Sequence, residues 1–202
     1  MIITGNEDLD RVIGGYSDNI SLIYGEGGSG KTTLAFLAAI AQLKNNKKVI
    51  FLDSGENFSL ERFTQLSRGI QYEKILVLKI KNFNDQHNKI INLKDLKNVD
   101  LIIVDSITKH FRRLYSREPE LARSMLRKQL KILSNIKIPK IFTSEVYSDL
   151  KSIQPVSNDT IKYFSNMIIK INKNPRRIIQ ETPVLNSMYF EIRNEGIFSK
   201  KL

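Results

Sequence analysis

Leu22-Ile-Tyr24-Gly25-Glu26-Gly27-Gly28-Ser29-Gly30-Lys31-Thr32-Thr33 runs from an apolar segment straight into a glycine-rich turn. From Gly25 to Thr32 it matches the complete Gly-x-x-x-x-Gly-Lys-Ser/Thr phosphate-loop pattern. Glycines let consecutive backbone N–H groups curl around phosphates without Cβ clashes. Lys31 is expected to reach the β- and γ-phosphates, and the Thr32 hydroxyl to ligate Mg²⁺. A helix opening near Lys31 adds its N-terminal dipole to the anion site. The context that such a motif requires is present, because the run Ile20–Tyr24 reads as a buried strand and Thr33–Leu43 as a helix. ATP with Mg²⁺ is therefore the expected ligand, held by Gly25, Glu26, Gly27, Gly28, Ser29, Gly30, Lys31, Thr32 and Thr33.

Outward from the loop, apolar runs alternate with amphipathic ones. Strands are expected at Val49–Asp53, Ile75–Ile80, Leu101–Asp105 and Lys140–Ser144. Helices are expected at Ser59–Arg68, with Ser59 as N-cap, at Asp85–Leu96 and at Pro119–Asn135. Short Val/Ile/Leu runs separated by helices imply a parallel sheet covered on both faces. Beyond about residue 165 the texture changes. Met167–Ile171, Arg176–Gln180 and Met188–Ile192 follow one another through short connections, as antiparallel strands do. The expected fold class is α/β, a P-loop NTPase core with a mostly parallel central sheet, flanking helices and antiparallel C-terminal strands. No repeat or linker divides it, so residues 1–202 are expected to form a single domain.

Leu101-Ile-Ile-Val104-Asp105 carries the second feature of the site. An acid at the carboxyl end of an apolar strand is where P-loop ATPases hold magnesium, so Asp105 joins Thr32 as a metal residue.

Composition sets limits on what the chain can do. The 202 residues carry 41% hydrophobic and 26% charged side chains, the balance of a globular protein. There is no cysteine, hence neither a disulfide framework nor a thiolate metal site. No apolar run is long enough to span a bilayer, and no secretory signal is evident at Met1–Asp8. The expected location is cytoplasmic, with no membrane partner. A net charge of +11 favours anionic partners, nucleic acid among them, although scattered lysines also solvate a surface.

Together these residues resemble a family. The phosphate loop, then Asp53-Ser54 with Phe58-Ser59-Leu60-Glu61-Arg62-Phe63, then Val104-Asp105-Ser106-Ile107-Thr108-x-His110-Phe111-Arg112, look like the archaeal RecA/RadA recombinases. Pro155-Val-Ser-Asn-Asp159-x-x-Lys162 and Phe190-Glu-Ile-x-x-x-Gly196-Ile197 resemble their short RadB-type paralogues. The resemblance covers nearly the whole chain and implies a RecA-like core that works with ATP on DNA, in recombination and repair. Full-length recombinases place a helical domain and a polymerisation motif ahead of the core, which here starts almost at Met1. The resemblance thus implies an accessory or regulatory paralogue that partners the main RadA-type recombinase, with an oligomer open to it.

Two departures bear on hydrolysis. Where the family reads Asp-Thr-Glu after the second strand, this chain reads Asp53-Ser54-Gly55-Glu56, so the water-polarising glutamate is replaced by Gly55 and Glu56 follows it. Losing a positioned base costs about 10² to 10⁴ in rate, roughly 3 to 5 kcal/mol of barrier. Where the family ends its fifth strand in Thr-Asn-Gln, this chain has Thr143-Ser144-Glu145, an acid at the γ-phosphate sensor position. A carboxylate facing a triphosphate meets a repulsion of about 4 kcal/mol at 4 Å in a moderate dielectric, so the expectation is that Glu145 turns to solvent. ATP is then bound well and hydrolysed weakly or not at all. The rival reading makes Glu56 or Glu145 a substitute base beside Lys31.

Lys109-His110-Phe111-Arg112-Arg113-Leu114-Tyr115-Ser116-Arg117 lies near the family's first DNA-facing loop. Arg112, Arg113 and Arg117 are the candidate DNA contacts, to single strands with moderate to weak affinity, while Phe111, Leu114 and Tyr115 are expected in the core. The segment Tyr147–Asp159 matches the second DNA loop by position, but carries Ser157-Asn158 where RadB-like proteins have Gly-Gly. His87 and His110 lack a partner at metal spacing and are expected on the surface or in loops. An alternative function is a P-loop kinase or a circadian-regulator-like signalling ATPase of the same superfamily, acting on a small molecule or a protein.

Overall fold

The computed structural model describes residues 1–69, 73–148 and 153–200. Its nucleus is the unit β1 (Ile20–Gly25), α2 (Lys31–Lys44) and β2 (Val49–Asp53), preceded by α1 (Glu7–Ile13). Then follow α3 (Leu60–Ser67), β3 (Ile75–Lys79), α4 (Phe83–Leu93), β4 (Leu101–Asp105), α5 (Lys109–Tyr115), α6 (Pro119–Asn135) and β5 (Lys140–Ser144). A two-stranded ribbon of β6 (Val146–Ser148) and β7 (Ile153–Pro155) leads to α7 (Asn158–Tyr163). The chain closes with β8 (Met167–Lys173), β9 (Arg176–Thr182), β10 (Asn186–Arg193) and β11 (Gly196–Ser199).

Nine strands form one sheet in the order β11-β10-β9-β8-β1-β5-β4-β2-β3. From β3 to β8 all neighbours are parallel, and from β8 to β11 all are antiparallel. The expected α/β architecture with an antiparallel C-terminal extension is therefore the observed one. β8 has a double role, since it pairs parallel with β1 on one side and antiparallel with β9 on the other.

Continuous apolar strands follow from burial on both faces. In β2, Val49 and Phe51 pack with α2 and α3, whereas Ile50 and Leu52 face α4, α5 and α6. β4 divides its side chains in the same way, Leu101 and Ile103 against Ile102 and Val104. Phe36, Phe51, Phe58 and Phe63 form an aromatic cluster on the first face, with ring centroids 5.1–5.7 Å apart.

Helix ends follow their caps. Ser59 accepts from the Arg62 N–H and starts α3, as its sequence position implies. α4 begins two residues before the expected Asp85, because Asn82 accepts from the Asp85 N–H and makes Phe83 the first helical residue. The basic segment from Lys109 is a helix, which the charge pattern did not reveal. No helix among the described residues is long and apolar enough to cross a membrane. Residues 149–152 of the second candidate DNA loop lie outside the described residues.

Candidate functional site

Because β1, β2, β4 and β5 are parallel, their carboxyl ends share one edge, where ligands of such sheets bind. Asp53 is in register with Asp105, and Tyr24 with Ser144. The phosphate loop leaves β1 at this edge and returns as α2. Gly25 is dictated by crowding, since a Cβ there would lie 2.4 Å from the Ile171 carbonyl oxygen and 2.9 Å from Ser29 Oγ. Lys31 folds back over the loop, donating from Nζ to the carbonyls of Gly25 and Glu26 at 2.8 Å each. Burial pulls its ammonium below the ordinary lysine range, opposed by the carboxylates of Asp105, Glu145 and Glu26.

Thr32 and Asp105 meet at this edge. Thr32 Oγ1 donates to Asp105 Oδ2 at 2.6 Å, and Thr143 Oγ1 donates to the other carboxylate oxygen. Asp105 is buried, and burial raises its carboxyl above the usual range against the pull of the two hydroxyls and of Lys31. Two buried hydroxyls of this edge, Ser29 Oγ and Ser54 Oγ, have no partner among the described residues. Orphaned donors of this kind are costly unless a ligand or water satisfies them. Among the described residues no cluster of three or more His, Cys, Asp or Glu could cage a metal. Mg²⁺ needs only one or two protein oxygens together with phosphates. The donor set, an anion cradle, one lysine, one hydroxyl and one buried carboxylate, fits MgATP.

The edge beyond β2 differs in kind. Asp53 is spent on backbone, with Oδ1 accepting from the N–H groups of Gly55 and Asn57 and Oδ2 from that of Phe58. The segment is a loop rather than strand, and Glu56 stands at its exposed tip with φ +55°. Left-handed backbone favours glycine there, so Glu56 sits in a strained conformation. The space that a side chain at residue 55 would enter is filled by the Asn57 carboxamide, whose Nδ2 lies 2.4 Å from an ideal Gly55 Cβ. Lys109 Nζ also closes on this point, donating to the Gly55 carbonyl at 3.1 Å. Neither Asn57 nor Lys109 had a signal in the sequence, because both depend on how the loop folds back.

Glu145 departs from the expectation of an acid turned to open solvent. Its Oε2 accepts from Arg112 Nη1 at 2.7 Å, and the pair is partly exposed. A pair of this exposure contributes about 0–1 kcal/mol. It gives the acid a cationic partner and engages one of the three candidate DNA arginines, while Arg113 and Arg117 are exposed on and just after α5. Phe111 is buried and Leu114 packs beside it, as expected, but Tyr115 is 36% exposed and lies beneath the Arg123 guanidinium, 5.0 Å from the ring centroid. His110 corrects its surface assignment. It is buried, its Nε2 hydrogen-bonds the Ile80 carbonyl at 3.1 Å, and helical phase turns it inward with Phe111. Ser157 shares the left-handed conformation, φ +57°, at a position where glycine is the unstrained choice.

A profile of the Rad51 family matches residues 1–197, almost the full length of the sheet and its helices. The chain belongs to the Rad51 family. Among its relatives, the DNA repair and recombination protein RadB of Methanosphaera stadtmanae is 30% identical, the match covering 98% of this chain and 95% of that protein. RadB of Thermococcus kodakarensis is 33% identical over 87% of this chain and 85% of its own. A crystal structure of the RadB recombinase superposes with a TM-score of 0.78 at 31% identity, covering 98% of both chains. The Rad51-family core accounts for the RecA-like sheet and for the phosphate loop at its carboxyl edge.

Proposed function

We propose that this Rad51-family chain is an ATP-binding recombinase paralogue that serves DNA recombination and repair as an accessory factor and turns ATP over weakly or not at all. The observation that carries the reading is the Thr32–Asp105 hydrogen bond, which joins an intact phosphate loop to the acidic end of β4. Gly25–Thr33 supply backbone donors, Lys31 a cation, and Thr32 with Asp105 the oxygen pair for Mg²⁺. Magnesium bound there supplies positive charge against the phosphate oxygens. Residues 1–202 act as one RecA-like core domain in the cytoplasm.

Weak turnover follows from what faces the edge beyond β2. The Asn57 carboxamide can hold a water by hydrogen bonds but cannot take its proton. Glu56 at an exposed, left-handed tip and Glu145 engaged by Arg112 are poorly placed as substitute bases. A side chain without the right reach and orientation forfeits most of the contribution of a general base.

For DNA, the relatives' names point to repair and recombination, and α5 offers the surface. A cleft of about 510 Å³ between α5, α6, β6 and α7 has Arg112, Tyr115, Arg123 and Tyr147 in its lining, cations interleaved with aromatic rings, with Asp159 as its one acid. Such a lining suits single strands, with phosphates on arginine and bases on tyrosine. The main recombinase of the cell is the protein partner that this role requires.

The test of the nucleotide site is heat protection. MgATP raises the melting temperature of the wild-type chain, and Lys31→Ala loses about 10² or more in affinity and with it the protection. Equal protection of both proteins would place ATP elsewhere.

A further inference from the structure

Two cations reach the phosphate loop from a part of the chain that its motif does not include. β8 and β9 form a hairpin, and Arg176 opens β9 with Nη1 donating to the Gly28 carbonyl at 3.2 Å and to the Ser29 carbonyl at 3.0 Å. Lys173, the last residue of β8, stands at the same turn, and a Cβ built on Gly28 would lie 3.7 Å from its Nζ. Neither cation has a carboxylate within 4.0 Å among the described residues. The hairpin is anchored to the strand that feeds the loop, because β8 pairs with β1 in parallel and sets Ile171 opposite Gly25.

A loop that aims its N–H groups at phosphates turns the carbonyls of the same peptides outward. One guanidinium nitrogen spanning two consecutive carbonyls restrains both peptides. The peptide of the Gly28 carbonyl carries the Ser29 N–H, which closes the turn on the Glu26 carbonyl at 3.2 Å. That of the Ser29 carbonyl carries the Gly30 N–H, which is thereby kept from flipping out of the cradle. Arg is suited to this, being always charged and rigidly planar. Lys173 is exposed and its side chain makes no hydrogen bond or ion pair among the described residues, so its contribution is charge beside the cradle. A cation there acts more strongly on a ligand of higher charge.

We propose that Arg176 is a positioning residue for the phosphate loop and Lys173 a specificity-determining one, favouring the more highly charged triphosphate over the diphosphate. This rests on the reading of Gly25–Thr32 as the ATP site. The reaction's own lysine, Lys31, is a separate group on α2, so the hairpin adds a second source of positive charge from β8 and β9.

The experiment titrates MgATP and MgADP into the full chain as wild type, Lys31→Ala, Lys173→Ala, Arg176→Ala and Arg176→Lys. Lys173→Ala is expected to weaken MgATP about fivefold and MgADP less, lowering the ratio of the two affinities, with the difference shrinking as salt is raised. Arg176→Ala is expected to weaken both nucleotides about tenfold, and Arg176→Lys to recover part of that loss, which a general packing defect would not allow. An unchanged ATP-to-ADP ratio in Lys173→Ala overturns the role of Lys173, and Arg176→Ala affinities within twofold of wild type overturn that of Arg176. Should Arg176→Ala fail to fold, the ratio in the exposed Lys173 variant still decides whether the hairpin charge is felt. A wild type that does not bind MgATP, or that binds no better than Lys31→Ala, removes the underlying site instead.

Discussion

The phosphate loop and the loop after β2 lie on the same sheet edge and are built for opposite ends. The first keeps each group that its chemistry requires, from the crowded Gly25 to the Thr32–Asp105 hydrogen bond. In the second, Gly55 presents no side chain to the edge and Glu56 is strained at the exposed tip, which on the proposed reading leaves the water without a base. Binding and hydrolysis thus depend on separable parts of one edge. Anchoring a triphosphate takes many backbone donors that act together, whereas activating water takes one side chain in one place.

The largest effect should come from restoring that side chain. Gly55→Glu combined with Glu56→Gly and Asn57→Gly returns a carboxylate to residue 55, clears the carboxamide from its path and puts glycine where φ is positive. Turnover is expected to rise by about 10² over wild type, read by phosphate release. A triple variant that binds ATP and stays silent would mean that the deficit lies at Glu145 or elsewhere.

A smaller effect is expected where the Arg112–Glu145 pair joins the altered edge to α5. Glu145→Gln frees Arg112 and should raise single-stranded DNA affinity a few-fold, about 0.5–1 kcal/mol. Arg112→Ala with Arg113→Ala should lower that affinity about tenfold and flatten its salt dependence. Titration of a labelled oligonucleotide at several salt concentrations checks both, and unchanged binding would move DNA to another face.

The smallest effect is one of pH. His110, buried at the start of α5 next to Lys109, is pushed below the ordinary imidazole range by burial, with Arg113 and Lys109 adding to the push. The Ile80 carbonyl and Asp85 pull the other way. A histidine with a folded pKa below its unfolded value binds fewer protons when folded, so stability is lost as pH falls below about 6.5. The melting temperature should sag in that range, and His110→Gln should flatten the sag. An identical pH profile in the variant would remove His110 as its cause.

How far the sequence could be read follows the range of the interactions. The phosphate loop is legible because eight consecutive residues carry it, and Asp105 because an apolar strand announces it. α1 is equally local, with Asn6 accepting from the Leu9 N–H at one end and left-handed Gly14 at the other as its start and stop signals. α5 is harder to see because its cations outnumber Phe111 and Leu114, which set its inward face. The remainder is non-local. Arg112 and Glu145 are 33 residues apart, and Arg176 and Ser29 are 147 apart. No spacing rule links such pairs before the sheet brings them together. Asn57 belongs with them, since its place over Gly55 depends on three backbone groups gathered by Asp53.

The most direct measurement is ATP turnover by the purified chain, with and without single-stranded DNA, beside Lys31→Ala and with ATP occupancy followed in the same samples. The expected result is a wild-type chain saturated with ATP whose turnover, with or without DNA, does not rise above that of Lys31→Ala. DNA-stimulated turnover that disappears in Lys31→Ala would contradict the account, because a base other than the missing carboxylate would then be at work on this edge.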